Sequence, residues 1–498
     1  MPPTPPPAPS RLIERLQRQV TSAFAWLGRK VMNSRMKELT LLTLPYQVAA
    51  VITALIAVGY AKLFGLVEEV HAWVIGIHPD WVFVSAPLAF LLSWWLVRRF
   101  APMAGGSGIP QLMAAIEVAN DKATDRSWRF LNVRIILVKI ASSLAMVVGG
   151  GAVGREGPTL QIAGSVYRTV HKLLPPFWPK VSRKVMMVTG GPAGLSAAFT
   201  TPLGGIVFAV EELTRTHIAK SPPAILTAVI LAGMTAQLLL GPYLFLGYPK
   251  LEPVGFSFMY KVLAIGLCAG AAGALFCKAV LLLDKWRRTL KGNAAQALFA
   301  VGCALAFAVT VKLTGSFALG SGKHLLESYL FDTDVDPGWR DIAARVLGPL
   351  FSFSAGGAGG IFAPSLASGA AVGGWIAQWF EPSRGEFNVL VLAGMTAFLT
   401  GVSRSPFTSA ILVLEMTDRH SVIFQLMYAA MVAYLISHGI DKRSYYERMK
   451  LRLLAALPGN SGREPAAERP ARNGTRRPPE PDPHDEEPPA PTPGYGLG

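Results

Sequence analysis

Between Leu39 and Ile440 the chain returns again and again to apolar runs of about 20 residues with almost no charge inside them. A run of that kind belongs in hydrocarbon. There each backbone N–H and C=O must be satisfied within the protein, which a helix does inside one segment. Only 16% of residues are charged, against roughly 25% in a soluble domain, and the mean hydropathy is +0.38. The pattern predicts an all-α polytopic membrane protein rather than a water-soluble bundle.

The basic residues predict its orientation. Arg11, Arg15, Arg18, Arg29, Lys30, Arg35 and Lys37 precede the first apolar run, and Lys442, Arg443, Arg448, Lys450 and Arg452 follow the last. Cytoplasmic flanks carry the excess of Lys and Arg, so both termini are expected in the cytoplasm of a cell-membrane protein, the inner membrane if bacterial. A first span over Leu39 to Leu66 leads to an outside loop with Glu68, Glu69, His71 and Asp80, and a second, Trp81 to Val97, returns to Arg98-Arg99. The net charge of +16 is thus a matter of topology. No aromatic and basic surface is interleaved as nucleic-acid binding would need, and from the Pro-rich start no cleavable leader is expected. Cys268, Cys277 and Cys303 lie in apolar stretches without metal or redox spacing and read as core.

Five segments follow: a Pro-rich disordered arm at 1–9, an amphipathic cytoplasmic helix at 10–38, transmembrane halves at 39–241 and 242–456, and a disordered cytoplasmic tail at 457–498. Several apolar segments, such as 158–170, 203–213 and 406–417, are too short for a bilayer of about 30 Å. Broken, tilted helices meeting near the midplane are expected.

The halves resemble each other. With Pro202 set on Pro406, Glu211 falls on Glu415. Pro158 falls on Pro364, and Gly106-Ser107-Gly108 on Gly320-Ser321-Gly322. Three matches in one order predict an internal repeat of inverted topology, with a substrate site where the halves meet. Glu156 then faces Phe362 and Glu212 faces Met416. The matched glutamates, Glu211 and Glu415, read as shared structure, and the unmatched ones as candidates for chemistry.

Gly154-Arg155-Glu156-Gly157-Pro158 puts two charges between apolar runs, either as an ion path or as a wet surface loop. It opens a helix, as do Gly106-Ser107-Gly108-Ile109-Pro110 and Gly359-Gly360-Ile361-Phe362-Ala363-Pro364. Helix starts offer unpaired N–H groups to an anion, and Pro in the first turn loses no needed donor. A phosphate loop is excluded by the missing Lys-Ser/Thr ending and preceding strand.

These three motifs, with Glu211-Glu212 and the run Ile411 to Asp418, resemble the CLC family of chloride channels and chloride/proton antiporters over about Leu39 to Leu453. The resemblance implies chloride and protons as substrates, no cofactor or metal, and a homodimer with one pore per subunit. It implies chloride contacts from Ser107, from the backbone at Ile361 and Phe362, and from the phenol of Tyr445, with Tyr446 beside it as the other choice. Gly106, Gly108, Pro110, Gly154, Gly157, Gly360 and Pro364 would shape the cradle. Glu156 would be gate and proton carrier, Arg155 a fixed cation at the outer mouth, and Glu212 the inner proton acceptor or else a solvated helix-end acid. Ser107 matches the chloride-preferring pattern. The expected activity is electrogenic antiport, with a passive channel gated by Glu156 as the alternative. Gln111 and Met113 stand where some relatives carry acids, which leaves Lys139 without an expected carboxylate. The paired cytoplasmic regulatory domains of eukaryotic members are not expected. A membrane-embedded enzyme is disfavoured, since His171, His217, His324 and His438 are dispersed.

Overall fold

The computed structural model describes residues 34–120, 125–213, 222–241, 245–252, 254–417 and 420–457, without the side chains of 34–40 and 222. The arm at 1–9, most of the expected helix at 10–38 and nearly all of the tail lie outside the described residues. Among the described residues there is no strand, and pairing of extended backbone is limited to two isolated bridges.

The first half contains α1 (Ser34–Ile77), α2 (Val82–Phe100), α3 (Ile109–Val118), α4 (Val133–Val148), α5 (Glu156–Leu173), α6 (Arg183–Phe199), α7 (Pro202–Phe208) and α8 (Pro222–Leu240). The second contains α9 (Met259–Thr289), α10 (Asn293–Thr314), α11 (Lys323–Phe331), α12 (Trp339–Ser354), α13 (Phe362–Ala377), α14 (Arg384–Ser403), α15 (Pro406–Thr417) and α16 (Ile423–Ile440). Each helix of one half has its counterpart in the same order in the other. After α16 comes α17 (Tyr445–Ala455). The packing divides the chain after Leu453. Of the second unit, the described residues finish α17 and close a turn from Leu457 N–H to Leu454 O at 3.2 Å.

Among the described residues, eight helices are long and apolar enough to cross a membrane. Leucines such as Leu88, Leu137, Leu238 and Leu282 lie on their exposed faces, where lipid rather than water suits them. The chain is a multi-pass membrane protein. At its centre runs α14, buried at every position from Phe387 to Ser403, as a helix apolar all round must be. It approaches α13 at backbone distance. A Cβ added to Gly394 would come within 2.8 Å of the Gly373 Cα, the close contact that small residues permit between membrane helices.

The two halves also turn alike. Thr200 ends α6 and Arg404 ends α14, both in the left-handed region at φ 57° and 65°. The Arg404 guanidinium donates to the Ser437 carbonyl at 3.0 Å.

Two expectations need correction. The first membrane helix does not stop at Leu66. It runs 44 residues to Ile77, about 66 Å at 1.5 Å per residue. Glu68, Glu69 and His71 therefore ride on its last turns, and only Asp80 lies in the short link before α2. Cys268 is exposed on α9, whereas Cys277 and Cys303 are buried.

Candidate anion site

Three glycine-rich motifs, distant in sequence, are laced together by backbone hydrogen bonds. Gly106 N–H donates to Gly357 O at 2.8 Å, and Gly359 N–H to Gly106 O at 3.2 Å. Gly154 and Gly360 exchange both bonds, at 2.8 and 2.6 Å. The starts of α3, α5 and α13 are thereby drawn to one place.

Contact this close requires glycine. A Cβ on Gly157 would stand 2.5 Å from Ser107 Oγ and 3.2 Å from the Gly360 Cα. Gly108, at φ +109°, leads the chain into α3, with Pro110 in the first turn. Gln111 then ties the entry, accepting from Gly108 N–H at 3.0 Å and donating to Gly105 O at 2.5 Å. The residue found in place of an acid is thus a helix-start clamp.

Lys139, in the middle of α4, is fully buried. Its ammonium donates to Ala104 O at 2.9 Å and Gly106 O at 2.7 Å. Hydrogen bonds to a charged group contribute about 1.5–3 kcal/mol each, enough to offset much of the several kcal/mol that burying the ion costs. Its partners among the described residues are carbonyls, and these two bonds tie the side chain to the backbone directly behind Ser107. The second half repeats the device. Arg345, 206 residues on and also fully buried, donates to Phe317 O at 2.8 Å and Leu319 O at 3.1 Å.

Three buried polar atoms here find no protein partner: Ser107 Oγ, Glu156 Oε2 and Tyr446 OH. Unpaired buried groups are uncommon and point to a missing ligand or a moving proton. Glu156 is the first residue of α5 and 1% exposed, so it is not on a wet surface loop. Arg155 Nε lies 4.0 Å from its Oε1. Its carboxylate meets the backbone N–H of Ala363, in the first turn of α13. Phe362, the counterpart of Glu156, instead packs its ring on Phe199 at 5.7 Å. Ile361 precedes it, buried.

Two cavities approach from different sides. One, about 150 Å³, reaches Ser107 and Gln111 and is lined by Arg98, Arg287, Arg288 and Tyr445. The other, about 510 Å³, reaches Glu156 and Arg155 and is lined by Glu68, His71 and Lys323. Glu156 and Ser107 thus front separate openings.

Glu212 sits on a π-helical turn, Ala209–Leu213, after α7. It is half-buried and accepts from Ser405 Oγ at 2.6 Å. Tyr446 has both Glu212 and Glu156 within electrostatic range, whereas Tyr445 faces Asp284 and Arg452. Glu211 and Glu415 cap helices across the repeat. Glu415 accepts from Leu203 N–H at 3.1 Å and Gly204 N–H at 2.7 Å, and Glu211 from Phe407 N–H at 3.2 Å and Thr408 N–H at 2.7 Å. Sequence reasoning gave Lys139 no partner and passed over Arg345. The signal was there, since both are cations in apolar helices at the spacing that relates Pro158 to Pro364.

Helix starts gathered beside a buried carboxylate, with one cavity at Ser107 and another at Glu156, mark the candidate site of this membrane protein. The model of the voltage gated chloride channel family matches residues 89–438. The chain is 32% identical over 423 residues to the H(+)/Cl(-) exchange transporter ClcA of Citrobacter koseri, covering 82% of this chain and 88% of that one. It is 31% identical to the exchange transporter of the same name from Salmonella agona, with the same coverage. In fold it is similar to a slow cyanobacterial Cl-/H+ antiporter, with a TM-score of 0.73, 22% identity and coverage of 84% and 99%. It is also similar to a CLC-type fluoride/proton antiporter, with a TM-score of 0.69, 18% identity and coverage of 83% and 98%. The chain belongs to this family, the CLC family, whose inverted-repeat helical fold it has.

Proposed function

We propose that the protein is an electrogenic chloride/proton antiporter, with chloride held by helix starts and hydroxyls and with Glu156 as a protonatable gate. The observation that carries this is the Glu156 carboxylate, buried with one oxygen unpartnered, at the junction of the three motifs, where one cavity reaches Glu156 and another reaches Ser107. Named exchange transporters among the relatives support it.

Partial charges of helix N–H groups bind an anion firmly enough to admit it and weakly enough to release it. Lys139 draws back the Ala104 and Gly106 carbonyls behind Ser107, and Arg155 adds a positive charge beside the gate. An ionised Glu156 occupies the anion position at the start of α13, since like charges in a low-dielectric site exclude each other. Protonated, it leaves toward the 510 Å³ cavity and releases its proton there, and chloride takes its place. Glu212 supplies the proton from the other side. Because chloride and protons carry opposite charge and move in opposite directions, each cycle moves net charge. Ser107 Oγ and the backbone at Ile361 and Phe362 face the ion. The unpartnered hydroxyl and the nearby glutamates favour Tyr446 as the facing phenol, with Tyr445 lining the inner cavity.

Both termini lie in the cytoplasm, the arginine-lined cavity being the inner one, and two copies pair as a homodimer with one pore each. Mass in detergent, from light scattering, tests the pairing: a monomer mass would end it. For transport, an imposed chloride gradient across liposomes should drive protons uphill. Chloride flux without uphill proton movement would make the protein a channel. Glu156→Ala should reduce proton movement to baseline and leave a chloride flux without pH dependence.

A further inference from the structure

The outer cavity contains a second copy of the Gly-Ser-Gly turn, and something already sits in it. Gly320 and Gly322 have φ values of +58° and +95°, as Gly106 and Gly108 have +69° and +109°. Behind each loop a buried cation ties back the carbonyls, Lys139 in one half and Arg345 in the other. With carbonyls held behind, the amides of such a turn form a concave nest that suits an anion. In the second half that anion is Glu68, whose Oε1 accepts from Ser321 N–H at 2.7 Å.

Glu68 reaches the turn only because α1 continues past the expected end of its span. One turn further on the same face, His71 lines the same cavity and is 5% exposed. Its Nδ1 bonds Val148 O at 2.8 Å, whereas its Nε2 has no partner. A carboxylate that served only to close a helix would resemble Glu211 and Glu415, each of which spans two backbone amides. Glu68 takes one, and it does so in the cavity that leads to Glu156, beside an unsatisfied histidine nitrogen.

We propose that the Gly320-Ser321-Gly322 turn is a further halide site on the outer chloride route, which Glu68 fills as a tethered anion and which His71 Nε2 borders. External chloride must displace Glu68 before it reaches Glu156. This rests on the antiporter reading, and one experiment separates the two.

Crystals of Glu68→Ala and of the unsubstituted protein are soaked in bromide and the anomalous signal is mapped. The expected result is a peak at Ser321 N in the variant alone, with a peak near Ser107 in both. A peak at Ser107 without one at Ser321 in the variant overturns this inference only. No peak at Ser107 in either removes the anion site on which the antiporter reading stands, and this inference with it. If Glu68→Ala does not fold, Glu68→Gln keeps the shape but removes the tethered anion, leaving a neutral amide that a halide displaces from Ser321 N–H far more readily. Its half-saturating external chloride should fall roughly threefold or more, as expected when a tethered competitor is removed, with internal chloride dependence unchanged. An unchanged external value would overturn the proposal.

Discussion

The loops around Ser107 and Ser321 have the same backbone and the same support, yet they end in different chemistry. In each, two glycines at positive φ bracket a serine and a buried cation draws the carbonyls back. At Ser107 the hydroxyl is left unpartnered against the starts of α3 and α5. At Ser321 the amide already holds Glu68. The repeat builds the same glycine loop twice, and the side chains that break the symmetry decide which is filled from within the chain and which is left open. The glutamates divide by the same rule. Glu211 and Glu415 are exchanged symmetrically between halves and act as caps, whereas Glu156 and Glu212 have only Phe362 and Met416 as counterparts in the other half.

The largest expected effect tests that division. Glu212→Gln can keep its bond from Ser405 but cannot carry a proton, so coupled proton movement should fall to baseline while chloride still moves. Glu211→Gln should leave coupling intact and destabilise the fold by about 1–3 kcal/mol, the loss of charge-assisted bonds at a helix start. Proton and chloride flux with a thermal melt on each variant read both effects. Equal loss of coupling in the two would erase the distinction between matched and unmatched acids.

A smaller effect tests how closely the first half must close. The position of Gly157 is occupied in the second half by Ala363. Gly157→Ala makes the halves more alike in sequence but drives a methyl group into Ser107 Oγ and toward Gly360. Chloride affinity by calorimetry should weaken about tenfold or more, which is about 1.4 kcal/mol. Unchanged affinity would mean that the three starts need not meet. In the same titration Tyr446→Phe should weaken binding more than Tyr445→Phe.

Much of this comparison was legible in the sequence. The glycine motifs, the spacing that matched Glu211 with Glu415, and the exceptional position of Glu156 are local patterns whose meaning survives folding. What was hidden depends on three-dimensional register. Charged residues near the end of a hydrophobic run mark its exit from lipid by composition, and on that ground Glu68 and His71 belong to a loop. They are helical because α1 carries on, with Glu68 turned onto the second glycine loop. Lys139 finds its partners in backbone carbonyls, which have no sequence signature. The choice between Tyr445 and Tyr446 likewise turns on which face of α17 meets Glu212.

The smallest effect concerns the loops that precede α4 and α12, which the two halves secure differently. Asp341 accepts from Tyr329 OH at 2.6 Å and from Gly338 N–H at 3.1 Å, with no arginine paired to it among the described residues. Asp125 instead gathers Arg183 at 3.1 Å, Arg168 at 3.3 Å and both donors of Ser127. Burial pushes the Asp125 carboxyl up, but the Ser127 hydrogen bonds and the charges of Arg183 and Arg168 outweigh it and hold the group below its ordinary 3.8. A carboxyl whose folded value is depressed stabilises the fold above its unfolded value and loses that contribution as pH falls through the folded one. Asp125→Asn should therefore lower stability at neutral pH by about 1 kcal/mol or less, because the arginines are partly exposed to screening solvent. The difference from the unsubstituted protein should close below pH 3.8. Melting temperatures across that range decide it, and a gap that stays constant with pH would mean that the ion pairs of the first half secure its loop no better than the neutral bonds of Asp341 secure the second.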